Sequence, residues 1–259
     1  MRASSEMSPK ISAFLITFNA ERKLESCLQA LSWVDELIVV DSFSADETVE
    51  IAKHHGAKVS SRPFTDFAEQ KNAAQGLCSG DWLLSIDADE VVSDELREEI
   101  RNVIKSADSC DAYHIPRRSM IFGREFRFSG TQDDRPLRLF KKGAATFRQP
   151  IHEIVTVRGS VGTLRSFLMH FTYPSEDDYF VRFNRYTSLE AKYLAEKGIH
   201  PNLVDFVLRP VGLFLKLYVI KQGFRDGYPG FLFCLFSARY VFVKYSKCRA
   251  LQSKRQHSA

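Results

Sequence analysis

Residues 80–90 read Gly-Asp-Trp-Leu-Leu-Ser-Ile-Asp-Ala-Asp-Glu, a short apolar run that ends in acids. Apolar runs of similar length at 11–17 and 36–40 also end in polar residues, and helical patterns separate all three. Strands that are apolar on both faces are typical of a sheet covered by helices on both sides. The stretch therefore predicts one strand of a parallel β-α-β sheet.

The segments around it extend this alternation. Helical patterns occur at 21–31, 46–55, 66–77 and 94–106, with Ser44 expected to cap the second, and residues 58–61 form a weaker strand pattern. Between 112 and 157, short strand-like pieces separated by glycines predict an antiparallel extension, and a long helix follows at 178–197. We therefore expect an α/β fold with a mostly parallel sheet, a small antiparallel extension and a helical C-terminal segment.

Composition limits the class and the compartment. Hydrophobic residues make up 44% of the 259 residues and charged residues 26%, which excludes a disordered or collagen-like chain. The five cysteines are far apart and form no zinc or disulfide pattern, and the first residues lack the apolar core of a signal peptide. We expect a cytoplasmic protein.

Charge is unevenly distributed along the chain. Residues 201–259 carry ten Lys or Arg residues and two acids, so the net charge of +4 divides into +8 for this tail and −4 for residues 1–200. We therefore predict two parts, a body at 1–200 and a basic, aromatic tail at 201–259, with different partners.

The acids at 87 and 89 are the strongest chemical signal. In a parallel sheet, ligands bind beyond the carboxyl ends of the strands, where Asp87 and Asp89 are expected. Carboxylates together with substrate phosphates are the usual ligands of Mg²⁺, and the sequence lacks the ligand and glycine positions of an EF-hand loop. An isolated Asp-x-Asp is more often a solvated turn, but the strand before it and the helix after it favour a metal site.

Polar residues at the ends of two other strands mark the same edge. Thr17 and Asn19 follow the first strand, and Asp41 ends the second, where its carboxylate can accept hydrogen bonds from a base or a ribose. Ser44 and Asp46 are equally explained as a helix cap and a charge at a helix N-terminus. No glycine-rich phosphate-binding motif occurs, which disfavours a P-loop and a dinucleotide-binding fold.

Several motifs together resemble a known family. They are Ile11–Asn19, Val39-Val-Asp41-Ser-Phe-Ser44-Ala-Asp46, Gln70-Lys-Asn72, Gly80-Asp-Trp82, Asp87-Ala-Asp89-Glu90, Arg138-Leu-Phe140, Ile151-His-Glu153, His170-Phe-Thr-Tyr173 and Lys221-Gln-Gly-Phe-Arg-Asp-Gly227. The first half of this set resembles family 2 glycosyltransferases of the GT-A fold. The later motifs are similar to lipopolysaccharide inner-core β-1,4-glucosyltransferases. Phe43 is a departure, since the family usually has glycine there, and a bulky residue would reshape the base or ribose pocket.

The resemblance implies inverting transfer of a hexose, glucose in this subgroup, from a UDP-sugar or similar nucleotide-sugar donor to a lipid-linked saccharide of the lipopolysaccharide core. It implies Mg²⁺ or Mn²⁺ as cofactor, with Asp89 as the metal ligand and Asp87 facing the ribose or the surroundings of the metal. The donor-binding residues that it implies are Thr17, Asn19, Asp41, Lys71, Asp87, Arg138 and His152.

A single displacement requires a base for the proton of the acceptor hydroxyl. The candidates are Glu153, which we favour, and Asp134, with Asp133 beside it. Arg138 is a candidate for binding the diphosphate, although an arginine on a strand is often only solvated. His152 is equally explained as a packing histidine.

Three other functions are alternatives to this one. A sugar-phosphate nucleotidylyltransferase would need a glycine-rich loop bearing Lys or Arg after the first strand, which residues 19–24 do not provide. A catalytically inactive scaffold would not require Asp87, Asp89 and Glu153. Transfer of another hexose to a different cell-envelope glycan is the nearest alternative.

The tail combines eleven aromatic residues with its ten basic ones, and its longest uncharged stretch, 227–238, is too short to span a bilayer. Such a composition favours an anionic membrane surface, with the protein peripheral on the inner face of the cytoplasmic membrane. Its apolar content disfavours nucleic acid as a partner. Helices that pack on the body are the remaining interpretation.

Overall fold

The computed structural model describes residues 8–148 and 154–257, with side chains up to residue 253 in the last helix. These residues divide into two units. Unit 1 contains the described residues up to Arg117 together with Arg135–His170, and unit 2 contains Arg118–Asp134 and the described residues from Phe171 onward. The predicted tail thus lies in unit 2 together with other segments, and the functional boundary at residue 200 stays a prediction.

The strands are numbered in chain order. They are β1 (Ile11–Thr17), β2 (Glu36–Asp41), β3 (Lys58–Ser61), β4 (Trp82–Ser85), β5 (Glu90–Val92), β6 (Ala112–His114), β7 (Arg117–Ile121), β8 (Arg124–Phe126), β9 (Leu137–Lys141), β10 (Ala145–Arg148), β11 (Ile154–Val157), β12 (Val161–Thr163) and β13 (Leu168–Tyr173).

The helices are numbered in the same way. They are α1 (Glu21–Gln29), α2 (Thr48–His54), α3 (Phe67–Gly76), α4 (Asp94–Val103), α5 (Glu176–Glu196), α6 (Arg209–Leu215) and α7 (Gly227–His257).

The main sheet of unit 1 has the order β12-β6-β9-β4-β1-β2-β3. Strands β4, β1, β2 and β3 are parallel, whereas β9 lies antiparallel between β4 and β6. A separate hairpin pairs β10 with β11. The predicted fold class, a mostly parallel sheet with a small antiparallel extension, is confirmed.

Alternation along β1 explains why its apolar run is continuous. Ala13 and Leu15 belong to one buried cluster with residues of α1 and α4, and Phe14 belongs to a second cluster with residues of α3. Both faces of the strand are therefore covered, as parallel sheets require.

Two details differ from the expectations. Short strands β5, β7, β8, β12 and β13 were not predicted, because three to six residues carry too little periodicity. Ser44 does not cap α2, which begins at Thr48. The amide and hydroxyl of Ser44 both donate to Asp41 instead, and the Thr48 amide and hydroxyl donate to Asp46.

Unit 2 is mainly helical. Helix α5 begins at its N-cap Ser175, where the hydroxyl accepts the Asp178 amide, and Gly198 follows it at φ +69°. Residues 204–220 form one helical run in which π-helical turns flank α6. Among the described residues, no helix combines the length and the apolar character needed to cross a membrane.

Gly80, two residues before β4, lies close against the backbone of β1. A Cβ atom there would lie 2.7 Å from Ser12 Oγ and 2.8 Å from the Ser12 backbone nitrogen. We predict that Gly80→Ala lowers the free energy of unfolding by about 1–3 kcal/mol, because the strand backbone must shift.

Gly76→Ala is the matched control, since the space around Gly76 is open and its φ is not positive. Urea denaturation followed by far-UV circular dichroism should show Gly76→Ala at or slightly above the wild type. Equal stability of the two variants would contradict the close approach.

Candidate active site

The corner after β1 and β2 is built around Asp41. Thr17 Oγ1 donates to Asp41 Oδ1 at 2.8 Å, and both residues are buried. Ser44 closes the turn on the same carboxylate through its amide (2.8 Å) and hydroxyl (2.6 Å). The Ser44 hydroxyl also accepts a hydrogen bond from the backbone N–H of Asn19, and Asn19 Oδ1 accepts one from the backbone N–H of Ala45. Three predicted donor-binding residues, Thr17, Asn19 and Asp41, are thus brought together.

Phe43 occupies a backbone conformation that favours glycine. Its φ is +59°, which costs a non-glycine residue about 1–2 kcal/mol, and 62% of its surface is exposed. The glycine that the related family usually carries here is explained by this φ. Phe43 is therefore an exposed residue of the turn that follows Asp41, two positions along the chain.

Three consecutive residues of α3 contact three different segments of unit 1. Gln70 Nε2 donates to Ser42 Oγ in the Asp41 turn, and Asn72 exchanges two hydrogen bonds with the backbone of Phe147 in β10. Between them, Lys71 is buried and its Nζ lies 3.0 Å from Asp87 Oδ1. The helix thereby connects the Asp41 corner to the acids that follow β4.

Asp87 is held by two cations. Arg138 reaches it from β9 and Lys71 from α3. Burial alone would raise the pKa of Asp87, but the charges of Arg138 and Lys71 outweigh that effect and hold the pKa well below its usual range. Asp87 is therefore ionised at neutral pH. Arg138 lies on an inner strand of the sheet and is itself buried, so the structure shows it bound to acids of the chain.

Glu90 connects these residues, and the sequence included it in the motif at 87–90 without indicating a role for it. It is fully buried, and its Oε1 accepts from Arg138 Nη2 at 2.6 Å and Arg117 Nη1 at 3.0 Å. Its Oε2 accepts the Asp87 amide at 3.0 Å. Glu90 therefore fixes both the turn after β4 and the direction of Arg138.

Asp89 faces a different set of partners. His170 Nε2 on β13 lies 3.5 Å from its Oδ1, and Lys23 Nζ on α1 lies 3.5 Å from its Oδ2. Burial raises the pKa of Asp89, but the hydrogen bond and charge of His170 lower it to about 2. In the sequence, His170 appeared only as the first residue of the motif at 170–173, with no role assigned to it. Its position beside Asp89 results from the pairing of β13 with β5, two strands that are far apart in the sequence.

The chemistry of this set fits a hard divalent cation that also binds phosphate. Among the described residues, no cluster of three or more His, Cys, Asp or Glu side chains is arranged to hold a metal ion. A metal site here would therefore need ligands from the substrate or water. Asp89 and His170 would provide one carboxylate and one imidazole to such a cation, and oxygens of a diphosphate and water would have to supply the remaining ligands. The metal role of Asp89 stays a prediction, with His170 added as its partner.

Asp134 lies in unit 2, at the end of a 3-10 turn over Thr131–Asp133. Lys221 Nζ lies 2.6 Å from Asp133 Oδ2, and Asp226 accepts hydrogen bonds from the backbone at 127 and 128 and from the hydroxyl of residue 129. A cavity of about 460 Å³ is lined by Asp133 and Asp134 together with Thr131, Leu217 and other residues of unit 2. The other two candidates, Glu153 and His152, lie outside the described residues.

Comparison with known proteins agrees with the fold. The family model "Glycosyl transferase family 2" matches residues 12–169. The chain belongs to this family, and it is a glycosyltransferase.

One relative is the "Lipopolysaccharide core biosynthesis glycosyltransferase LpsC" of Rhizobium meliloti, which is 30% identical over 93% of both chains. Among solved structures, the Pyrobaculum calidifontis mannosyltransferase PcManGT, in complex with GDP-Man and Mn²⁺, has a TM-score of 0.56 at 14% identity and covers 94% of this chain and 88% of its own. TarS 1–349 of S. aureus, in complex with UDP-GlcNAc, has a TM-score of 0.52 at 14% identity, with 96% and 92% covered. These likenesses support the GT-A fold.

The buried position of Glu90 gives a stability prediction. Glu90→Gln removes a negative charge that faces two guanidinium groups, and we expect a loss of about 3–5 kcal/mol in the free energy of unfolding. Glu98→Gln is the control, because Glu98 forms exposed bridges to Arg97 and Arg101 that are worth at most about 1 kcal/mol. Guanidinium denaturation would measure both, and a Glu90→Gln midpoint equal to that of Glu98→Gln would contradict the network.

Proposed function

We propose that the protein transfers a hexose from a nucleotide-sugar donor, with inversion and with a divalent cation, to a lipid-linked saccharide of the lipopolysaccharide core. The observation that carries the reaction is the pair Asp87 and Asp89, ionised at the carboxyl edge of the sheet beside His170. The relative named for lipopolysaccharide core biosynthesis supports the acceptor class. Among donors we propose UDP-glucose, which the inner-core motifs imply.

The Asp41 corner is proposed to bind the nucleoside. Asp41 has its Oδ1 and Oδ2 oriented by Thr17 and Ser44, so a base or ribose meets a fixed acceptor. Fixing the carboxylate before the ligand arrives reduces the entropy lost on binding. Asn19 stabilises the same turn and forms its outer wall.

The diphosphate is proposed to lie at Asp89 and His170. Mg²⁺ or Mn²⁺ bound there would neutralise the charge that develops on the leaving diphosphate. Asp87 holds Lys71 and Arg138 in place beside it, so we assign Arg138 a positioning role. This assignment replaces the direct contact with the diphosphate that the sequence suggested for Arg138.

The transfer itself is a single displacement. The acceptor hydroxyl oxygen forms a bond to the anomeric carbon as the bond to the diphosphate oxygen breaks. The hydroxyl proton passes to a carboxylate, which we propose to be Glu153, with Asp134 as the alternative. The nucleoside diphosphate leaves from the opposite face, which inverts the anomeric configuration.

The acceptor is lipid-linked, so we also propose that the protein acts at the inner face of the cytoplasmic membrane as a peripheral protein. The excess of basic residues in 201–259 supports attraction to anionic lipids, at about 1 kcal/mol for each basic residue close to the surface.

Replacement of Asp89 tests the metal site. We predict that Asp89→Asn abolishes transfer and removes the Mn²⁺-dependent part of UDP-glucose binding, because the amide is a poor ligand for a hard cation. Isothermal titration with UDP-glucose, with and without Mn²⁺, measures this directly. Asp94→Asn is the control, since Asp94 is exposed in the first turn of α4. Metal-dependent binding that survives in Asp89→Asn would exclude Asp89 as a ligand.

Replacement of the two candidate bases separates them. We predict that Glu153→Gln lowers kcat about a hundredfold or more, while the affinity for the donor stays within about twofold. Asp134→Asn should retain more than a tenth of the activity. The reverse pattern, with an active Glu153→Gln enzyme and an inactive Asp134→Asn enzyme, would assign the base to Asp134.

A further inference from the structure

An exposed apolar face runs along the helical segment 203–220. Val204, Leu208, Val211, Leu215 and Val219 recur every three or four residues, and each is 46–63% exposed. Leu203 and Ile220, at the two ends, are more than 70% exposed. Side chains at this spacing share one side of a helix, so they form a continuous ridge that we name the outer face.

The opposite side of the same segment is packed within unit 2. Asp205 and Pro210 are buried, Phe214 stacks on Tyr218, and both rings contact Phe231 of α7. The segment thus packs against unit 2 through its inner side, and the apolar side chains of the outer face are not needed for that packing. Soluble proteins seldom expose contiguous apolar surface of this kind without a binding partner.

Charge indicates which partner fits. The two acids of the tail are both held by hydrogen bonds inside unit 2: Asp205 by the Asn202 amide and Arg209, and Asp226 by groups of residues 127–129. Lys216 is exposed on the segment, and the tail as a whole carries ten basic residues. Residues 203–220 carry Arg209 and Lys216 against the single acid Asp205, so the segment is weakly basic within a basic tail, which is complementary to anionic lipid headgroups.

We propose that the outer face, residues 203–220, is a lipid-binding surface that lies in the plane of the membrane interface with its aliphatic side chains in the headgroup and acyl boundary. A helix with a wide apolar face and adjacent basic residues binds membranes in this way without spanning them. This inference rests on the proposed membrane location and specifies the surface that makes the contact.

Some aromatic residues of the tail pack within unit 2, although Phe224, Tyr228 and Phe242 are exposed. Phe233 packs on Phe126, and Phe236 contacts Tyr179 and Phe180, all within unit 2. Basic residues of α7 are also engaged: Lys244 lies 2.9 Å from Glu190, and Lys247 donates to Thr187 and Ser188. Replacing these residues would disturb the packing of α5 on α7, so a test of membrane binding should not use them.

The experiment uses the full-length protein and vesicles of phosphatidylcholine with 0 or 30% phosphatidylglycerol. The test variant is Leu208→Asp with Val211→Asp and Leu215→Asp. The control variant is Val181→Asp with Leu189→Asp, two exposed residues of α5 in the same unit. Both variants should keep the thermal midpoint and the donor hydrolysis of the wild type, since the changed side chains are exposed.

We expect the wild type and the control to co-sediment with the anionic vesicles, with binding reduced but not lost in 0.5 M NaCl. The test variant should bind at least tenfold more weakly. Equal binding of the test variant, or a wild type that stays in the supernatant at low salt, would overturn the proposal. So would a wild-type dimer that becomes monomeric in the test variant without any vesicle binding, because the face would then join two copies of the chain.

Transfer to a detergent-solubilised lipopolysaccharide acceptor separates this inference from the proposed function. If transfer occurs but vesicle binding does not depend on the outer face, only the lipid-binding surface is refuted. If binding behaves as expected but no such acceptor is glycosylated, the proposed acceptor fails and the surface stands.

Discussion

The burial of Glu90, beside the partly buried Asp87, is the constraint on which the site depends. Buried carboxylates are costly unless cations and hydrogen bonds compensate them, and here Arg138, Lys71 and Arg117 do so. Arg138 can reach both acids because β9 lies antiparallel beside β4, in the middle of an otherwise parallel region of the sheet. The antiparallel extension is thus required by the chemistry at the edge of the sheet, since it delivers the cation that keeps Asp87 ionised and oriented.

The same cluster explains how the two acids of Asp87-Ala-Asp89 come to differ. Asp87 points toward buried cations that belong to the chain, whereas Asp89 faces His170 and Lys23 at 3.5 Å. A carboxylate already neutralised by arginine and lysine has little to offer a metal ion, and a carboxylate beside an imidazole forms a mixed ligand pair. The turn between β4 and β5 therefore directs the two side chains to different partners, Asp87 to Lys71 and Arg138 and Asp89 to His170 and Lys23, although both have lowered pKa values.

Local patterns predicted the helices and the main parallel strands of unit 1, but not its short strands such as β5 and β12. The contacts of the site depend on pairing between segments that are distant in sequence. The runs that became β1, β2 and β4 could be read from the sequence because a covered strand must be apolar throughout, and Asp41, Asp87 and Asp89 followed from where those strands end. The partnerships of Arg138 with Glu90 and of His170 with Asp89 join residues on strands brought together by sheet topology, which periodicity does not encode. Ser44 shows the same limit on a smaller scale, because competition from the Asp41 carboxylate outweighed its local preference for a cap.

In the tail, amino-acid composition alone does not predict which side chains are exposed. Aromatic and basic residues at 201–259 suggested that the rings themselves would face a lipid surface, yet Phe231, Phe233 and Phe236 have ring partners within unit 2. Large rings gain most from dense packing, so the fold uses them to join α5, α7 and the 204–220 segment. Aliphatic residues are left outside, and leucine and valine lose little conformational entropy when they enter an acyl layer. Phe224, Tyr228 and Phe242 are exposed, so the separation of inward rings from outward aliphatic chains applies to the segment 203–220 and not to the whole tail. A helix docked only on protein would place its acids and polar side chains on the outer face, and the aliphatic ridge found there instead supports the proposed contact with lipid.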